Sequence, residues 1–235
     1  MKLRKIVTRE TGAVLFRGQY PSLAACAGAA IDRGVILDDA DFSHTVLLNA
    51  SFDDSRLRGA GFRGANLTGA NMSEADMENA DLREAALYNA CLCHSRLMNA
   101  DFTGALFGAT DIAGSDISGA RFSTPSALHL NFRDAKAMQN CVFEDSAGRS
   151  AAFSLPPLVV QGWDFPLALL DRHLLLDNAL ISLSSVLTAA RANVPVRPLS
   201  GHRRAAFLYR ERDLIARLVA ASGRSGFAQE ARDAA

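Results

Sequence analysis

A medium or large apolar side chain occupies every fifth position from Leu37 to Phe122 without a break. Two residues before each of them, from Ala40 to Ala120, the chain has only Ala, Ser or Thr. A period of five fits neither the roughly 3.6-residue turn of a helix nor the alternation of a flat strand. The chain therefore turns a corner every five residues, and we expect both recurring positions to face the interior. The apolar positions are Leu37, Phe42, Leu47, Phe52, Leu57, Phe62, Leu67, Met72, Met77, Leu82, Leu87, Leu92, Leu97, Phe102, Phe107, Ile112, Ile117 and Phe122.

The repeat has the motif A-(D/N)-(L/F)-x-x, as in residues 65–69 (ANLTG) and 100–104 (ADFTG). This motif resembles the pentapeptide-repeat family over roughly residues 35 to 124. The resemblance implies an all-β solenoid, a right-handed quadrilateral parallel β-helix with four pentads per coil. Residues twenty apart would stack at about 4.8 Å, and Gly or Asn two positions after the apolar residue suits a tight corner. One predicted internal column is Phe42, Phe62, Leu82, Phe102 and Phe122.

We divide the chain into a cap (1–34), the repeat β-helix (35–147) and a small mixed α/β module (148–235). The cap is predicted to cover the open edge of the first coil. We expect it to contain a hairpin of Lys2–Val7 with Ala13–Phe16, then a helix capped by Ser22 that stops at Gly34.

Beyond Phe122 the repeat loosens, and we read residues 125–147 as a last irregular coil. The spacing of six between Phe132 and Met138 indicates one inserted residue. The module after it is predicted to contain strands at Leu158–Val160, Pro166–Leu170 and His173–Leu176, and helices at 183–192 and 202–222.

The module carries a second resemblance. Residues 162–174 are similar to the C-terminal segment of a group of bacterial and prophage pentapeptide-repeat proteins. In this chain Asp177-Asn178 replaces a Gly-Cys pair of that pattern. The resemblance implies a bacterial or phage origin and no particular activity.

Composition indicates a cytoplasmic protein without a membrane segment. The net charge is zero, with 25 basic and 25 acidic side chains, although the repeat has 13 acidic residues against six Arg. Four cysteines are too few and too dispersed for a disulfide scaffold. We expect no signal peptide, and no uninterrupted apolar run reaches about 18 residues.

We predict no catalytic residue, cofactor or metal. Cys91, Cys93 and His94 offer soft ligands on one face of a coil, but a zinc site needs a fourth ligand and usually wider spacing. Two exposed thiols without a metal are the alternative. The G-x-G-x-x-G match at residues 59–64 follows from the repeat itself, and we expect His173 to pack against its hairpin neighbours.

The outward residues differ between the four predicted faces. One face alternates in charge through Arg56, Asp76, Arg96 and Asp116. Another is largely apolar, and exposed apolar patches of this extent usually mark an interface. We predict an interface on that face at Val46, Leu48, Ala86, Tyr88 and Leu106.

We expect this interface to be covered by the module, by a second copy of the chain or by another protein. The module is favoured because residues 150–235 look too small to bury Trp163, Phe165 and their leucines.

Two functions remain. The first is a non-catalytic scaffold that presents rigid faces to a protein partner or a second copy, without direct nucleic-acid binding. The second is a DNA mimic, as in the fluoroquinolone-resistance pentapeptide proteins that bind DNA gyrase. The acidic excess favours the mimic, whereas interspersed arginines and the apolar face favour the scaffold.

Overall fold

The computed structural model describes residues 1–186 and 212–222. The chain divides into two compact units, Met1–Glu144 and Asp145–Ala235. Within the described residues, no helix has the length and apolar character that a membrane span requires.

The first unit begins with the hairpin and helix expected from the sequence. Strands β1 (Lys2–Val7) and β2 (Val14–Tyr20) pair antiparallel, and β2 continues beyond the predicted Phe16. Helix α1 (Leu23–Ile31) follows. Ser22 caps its first turn, since the Ser22 side chain accepts a hydrogen bond from the backbone N–H of Ala25. The helix ends before Gly34, whose φ of 67° turns the chain out of it.

The hairpin pairs with the first coil of the repeat. Thr8 forms an antiparallel bridge with Ala40, the Arg9 N–H donates to the Asp39 carbonyl at 2.8 Å, and Asp41 donates to Val7 at 2.8 Å. The N-terminal segment therefore covers backbone groups that an open solenoid end would expose.

The repeat winds as a parallel β-helix in which successive coils are twenty residues apart. Asp41, Gly61, Asp81 and Asp101 form one continuous series of parallel bridges. Every apolar position from Leu37 to Phe122 is buried, and so is nearly every small position. Where the small residue is Ser, its hydroxyl donates to the carbonyl three residues earlier, at 2.6 Å for Ser95 and for Ser115, so these buried hydroxyls are paired.

The predicted aromatic column is confirmed. Phe42 and Phe62 stack with centroids 5.2 Å apart and planes 13° apart, and Phe102 stacks on Phe122 at 5.4 Å and 2°. The corners follow the sequence as well, because the second residue after each inward apolar one, from Asp39 to Gly119, has a positive φ. Asn, Asp and Gly tolerate this region better than other residues.

The first unit ends in an irregular coil. Strands β3 (Asp101–Phe102), β4 (Arg121–Phe122) and β5 (Cys141–Glu144) pair in parallel, and a 3-10 helix spans Pro125–His129. Phe102 pairs with Phe122, but Phe122 pairs with Phe143, one residue further along than the repeat requires. This confirms the predicted inserted residue.

The second unit contains β6 (Ser150–Phe153), β7 (Leu158–Val159), β8 (Leu167–Leu169), β9 (His173–Leu176) and β10 (Ala179–Ser182). Strands β7 to β10 form an antiparallel sheet in sequence order. The sequence analysis missed β10. Its signal is the pair Asp177-Asn178, which has φ values of 56° and 84° and makes the two-residue turn between β9 and β10.

Residues 183–186 are helical, and α2 spans Arg212–Ala221. The remaining parts of the two predicted helices, 187–192 and 202–211, lie outside the described residues.

The second unit has its own core. This core consists of Phe165, Leu167, Leu169, Leu174, Leu176, Ile181, Leu183, Val186, Ile215 and Val219. The expectation that this segment cannot bury Phe165 and its leucines is therefore wrong, because α2 supplies Ile215 and Val219 to the same cluster. Trp163 does remain exposed.

Candidate protein-interaction surface

The ladder face consists of the outward residues beside the column of Leu37, Leu57, Met77, Leu97 and Ile117. Its charges pair with one another: Arg58 Nε lies 2.6 Å from Asp76 Oδ2, and Arg96 lies 3.5 Å from the same oxygen. Arg56 and Asp76 are backbone neighbours as predicted, although the Arg56 guanidinium pairs instead with Asp38, at 2.7 Å. These exposed pairs add little stability each, but they leave the ladder face largely self-neutralised.

The Asp81 face consists of the outward residues beside the column of Phe42, Phe62, Leu82, Phe102 and Phe122. Its Asp81 carboxylate is also paired with arginines. Asp81 is almost fully buried and receives two hydrogen bonds from the Arg83 guanidinium, at 2.8 and 2.7 Å. Arg9 of the N-terminal hairpin donates to Asp81 Oδ2 at 2.8 Å. Hydrogen bonding to Arg83 lowers the pKa of Asp81 below its usual range.

Arg9 crosses the Asp81 face at Gly61. A Cβ on Gly61 would lie 2.8 Å from Arg9 Nε, so glycine provides room for the guanidinium to reach Asp81. Sequence reasoning did not assign a role to Arg9. The available signal was Gly61 itself, an outward glycine at a position that does not form a corner.

The apolar face consists of Val46, Leu48, Asn66, Thr68, Ala86, Tyr88, Leu106 and Gly108. Val46, Asn66, Ala86 and Leu106 stack through successive parallel bridges. Val46 is 65% exposed, Leu48 48%, and Tyr88 and Leu106 41% each, while Ala86 is half-buried. The structure thus brings all five predicted interface residues to one side of the coil stack.

The Tyr88 ring packs over its neighbour in the next coil. A Cβ on Gly108 would lie 2.9 Å from Tyr88 Cδ1, so the ring lies over the bare backbone of Gly108. Since the φ of Gly108 is not positive, glycine serves here to make room rather than to permit a turn. This role of Gly108 was not anticipated from the sequence.

The cysteine face consists of Ser51, Asp53, Asn71, Ser73, Cys91, Cys93, Asp111 and Ala113. Cys91 Sγ lies 2.8 Å from Cys93 Sγ and 3.2 Å from Ser73 Oγ. His94 is instead at the corner, where its ring lies over Gly114. Within the described residues, no three His, Cys, Asp or Glu side chains are grouped so that they could hold a metal ion.

His173 lies on β9 opposite Ser182. It is half-buried, its Nδ1 has no hydrogen-bond partner, and burial lowers its pKa. It borders a cavity of about 260 Å³ in the second unit, together with Arg149, Ser150, Leu180, Ile181, Ser182 and Ser185. Among the described residues, no nucleophile is hydrogen-bonded to the Nδ1 atom of His173.

The coil geometry and the motif agree with a comparison against known families. A model of pentapeptide repeats matches residues 36–73 and 61–99, with eight copies. The chain belongs to the pentapeptide-repeat family. Membership implies the right-handed, four-sided winding expected from the sequence.

Several solved pentapeptide-repeat proteins are similar to this one. Rfr23 from the cyanobacterium Cyanothece 51142 is 19% identical over 42% of this chain and 60% of its own, with a TM-score of 0.29. A protein of the Arabidopsis thaliana thylakoid lumen is 31% identical over 57% of this chain and 90% of its own, with a TM-score of 0.24.

A trypsin-treated variant of QnrB1, a plasmid-mediated fluoroquinolone resistance protein, is 27% identical over 45% of this chain, with a TM-score of 0.24. The chain spans about 51% of the QnrB1 length and 60% of Rfr23. A search of the curated proteins gives no match.

Proposed function

We propose that this pentapeptide-repeat protein is a non-catalytic scaffold that binds a protein partner or a second copy through its apolar face. The observation that carries the proposal is the convergence of four exposed hydrophobic side chains on one face while the arginines of the coils lie on two others. Val46, Leu48, Tyr88 and Leu106 are all at least 41% exposed. Solvation of such a patch is unfavourable, and covering it at roughly 25 cal/mol per Å² would contribute several kcal/mol.

The backbone beneath the apolar face is fixed on both sides. Ala86 N–H donates to the Ala65 carbonyl at 2.9 Å, and Leu87 N–H donates to Leu106 at 2.8 Å. Tyr88 is further held against Gly108. A partner therefore meets a backbone that is already in position, which reduces the entropy lost on binding.

The second unit is a weaker candidate for the cover than the sequence indicated. The argument for docking was that residues 150–235 could not bury their own apolar side chains. Because Phe165 and Leu174 lie in a core of that unit, this argument no longer applies. A separate protein or a second copy is the occupant we favour.

The DNA-mimic alternative is supported by the acidic excess of the repeat and by the likeness to QnrB1. A mimic requires a continuous acidic surface, however, and here Asp76 and Asp81 are paired with arginines. The apolar face has no charged residue. We expect no inhibition of purified DNA gyrase at micromolar protein, and clear inhibition would favour the mimic over the scaffold.

Leu48→Asp and Leu155→Asp test the proposal as a matched pair, because both leucines are 48% exposed. Only Leu48 belongs to the apolar face. Light scattering after size exclusion would first show whether the wild-type chain self-associates, and quantitative capture from the source cells would then detect other partners. We expect Leu48→Asp to lose the association and Leu155→Asp to retain it. A wild-type chain that neither self-associates nor captures a partner, or equal behaviour of both variants, would refute this interface.

We also propose a cytoplasmic location and a bacterial or phage origin. All four cysteines lie within the described residues and are free thiols, which is usual in a reducing compartment. The origin is supported by the resemblance of residues 162–174 to a bacterial and prophage group.

A further inference from the structure

Two thiols meet on the outer surface of one coil. Cys91 and Cys93 flank the buried Leu92, with Cys91 in a parallel bridge and Cys93 in the turn that follows. Both are half-buried rather than enclosed, and their sulfur atoms are 2.8 Å apart. The cysteine face therefore presents a preformed pair of thiols that reagents from solution can reach.

The two sulfurs have different surroundings. Ser73 Oγ lies 3.2 Å from Cys91 Sγ, close enough to donate to a thiolate. Between the two thiols, Cys91 Sγ donates to Cys93 Sγ. Burial opposes ionisation of Cys91, but the hydrogen bonds that its thiolate accepts from Cys93 and Ser73 outweigh burial and lower the pKa of Cys91. Burial, together with hydrogen bonds to Cys91 and Asp111, raises the pKa of Cys93 to about 12.

We propose that Cys91 and Cys93 form a redox-active dithiol, in which Cys91 attacks a peroxide and Cys93 closes an intramolecular disulfide. Cys91 is the sulfur that lies beside a hydroxyl, that of Ser73, which can donate to a nucleophilic thiolate. Cys93 keeps its proton until the second step. The sulfurs need to approach by less than about 1 Å to reach a disulfide bond length of about 2.05 Å.

The reaction balances without a further reactant. The Cys91 thiolate attacks one oxygen of the peroxide, the O–O bond breaks, and the leaving hydroxide takes a proton from solvent to give water and a sulfenic acid. Cys93 then gives up its proton and attacks the Cys91 sulfur. The S–O bond breaks, and hydroxide leaves as water with that proton. The dithiol loses two electrons, and hydrogen peroxide is reduced to two waters.

The remaining cysteines serve as internal controls. Cys26 and Cys141 are fully buried, and burial raises the pKa of both thiols, to about 12 for Cys141. Buried thiols of this kind are unreactive. Oxidation of the folded protein should therefore be confined to Cys91 and Cys93.

Mass spectrometry can follow the reaction directly, because tryptic peptide 84–96 contains both cysteines and no other. The folded protein would be treated with hydrogen peroxide, denatured, alkylated and digested. We expect this peptide to be unalkylated and lighter by two hydrogens, while Cys26 and Cys141 become fully alkylated. Retention of alkylation at both Cys91 and Cys93, under conditions that oxidise free cysteine, would overturn the proposal.

Single variants test the order of the two steps. In Cys93→Ser, Cys91 should stop at the sulfenic acid, which dimedone traps. In Cys91→Ser, oxidation of Cys93 should be slower by about tenfold or more, because few Cys93 thiols are ionised. Circular dichroism would establish that each variant is folded. Equal oxidation rates in the two folded variants would contradict the assigned roles.

Discussion

The coils of residues 37–122 and the second unit both have apolar cores, but the two cores are assembled differently. In the coils, each inward side chain is specified by its place in a five-residue period, and its neighbours are one repeat or one coil away. In the second unit, Phe165 packs in a cluster with Val219 of α2, more than fifty residues later in the chain. A periodic core is therefore readable from sequence, whereas a core built from distant segments is not.

The buried serines of the coils and the buried carboxylate of the second unit differ in the same way. In the coils, Ser95 and Ser115 donate to carbonyls three residues earlier. In the second unit, the buried carboxylate of Asp145 accepts from the N–H of Leu180 at 2.9 Å and from Arg149 Nε at 2.8 Å. Local partners follow from the motif, while distant ones depend on the completed fold.

The largest effect is expected from a charge placed inside the coils. Leu82→Asp puts an unpaired carboxylate in the lumen, and we expect a loss of roughly 5 kcal/mol or more. Leu106→Asp is the control, since Leu106 is 41% exposed and Leu82 is fully buried. Thermal unfolding followed by circular dichroism would compare them. If Leu82→Asp kept the wild-type melting temperature, the inward register described here would be incorrect.

The second effect concerns the long-range polar contacts of the second unit. Asp145→Ala removes the acceptor of the buried Leu180 N–H and of the half-exposed Arg149 guanidinium, and leaving the buried donor unpaired costs about 1–3 kcal/mol. Hydrogen exchange should rise in residues 165–182 and stay unchanged in residues 42–122. Faster exchange in the coils as well would show that the two cores are not independent.

Acid should weaken the second unit through the same carboxylate. Burial alone would raise the pKa of Asp145, but hydrogen bonds from Leu180 and Arg149 outweigh it and hold the pKa below its usual range. Its contribution is therefore complete above the unfolded value of about 3.9 and is lost as pH falls through the lower folded value. Asp145→Asn should remove this part of the pH dependence, as measured by urea unfolding at several pH values.

A smaller effect distinguishes the glycines of the two regions. Gly64 has a φ of 63°, and a Cβ there would lie 2.6 Å from His44 Nδ1. Gly148 has a φ of 74° with nothing within 4 Å. Gly148→Ala should lose about 1 kcal/mol from backbone strain alone, and Gly64→Ala should lose more. In a His44→Ala background, Gly64→Ala should lose about as much stability as Gly148→Ala, as measured by denaturant titration. An unchanged loss in that background would mean that the contact with His44 is unimportant.

The smallest effect is expected at an exposed ion pair of the coils. Arg63 lies 2.8 Å from Glu84, and both side chains are about half exposed. Arg63→Gln should change the free energy of unfolding by less than about 0.5 kcal/mol. A larger change would mean that surface pairs, and not only the periodic core, hold successive coils together.

Sequence analysis predicted the coils in detail, down to the residue inserted before Met138. It missed β10, because the Asp177-Asn178 turn was treated only as a departure from a family pattern. It also misjudged the core of the second unit, since no period links Phe165 to Ile215. In the candidate surface, the sequence placed the five predicted interface residues on one face but gave no sign that the Tyr88 ring lies over Gly108.

The sequence by itself determined the coil, its inward register and the separation of apolar from charged faces, because a repeat of five makes every contact a consequence of one local pattern. Only the tertiary structure decided which groups meet across coils or across the second unit. Arg9 reaches Asp81 over Gly61, and Cys91 meets Cys93 beside Ser73. These contacts depend on side-chain directions and on the packing of segments far apart in the chain, which no local pattern encodes.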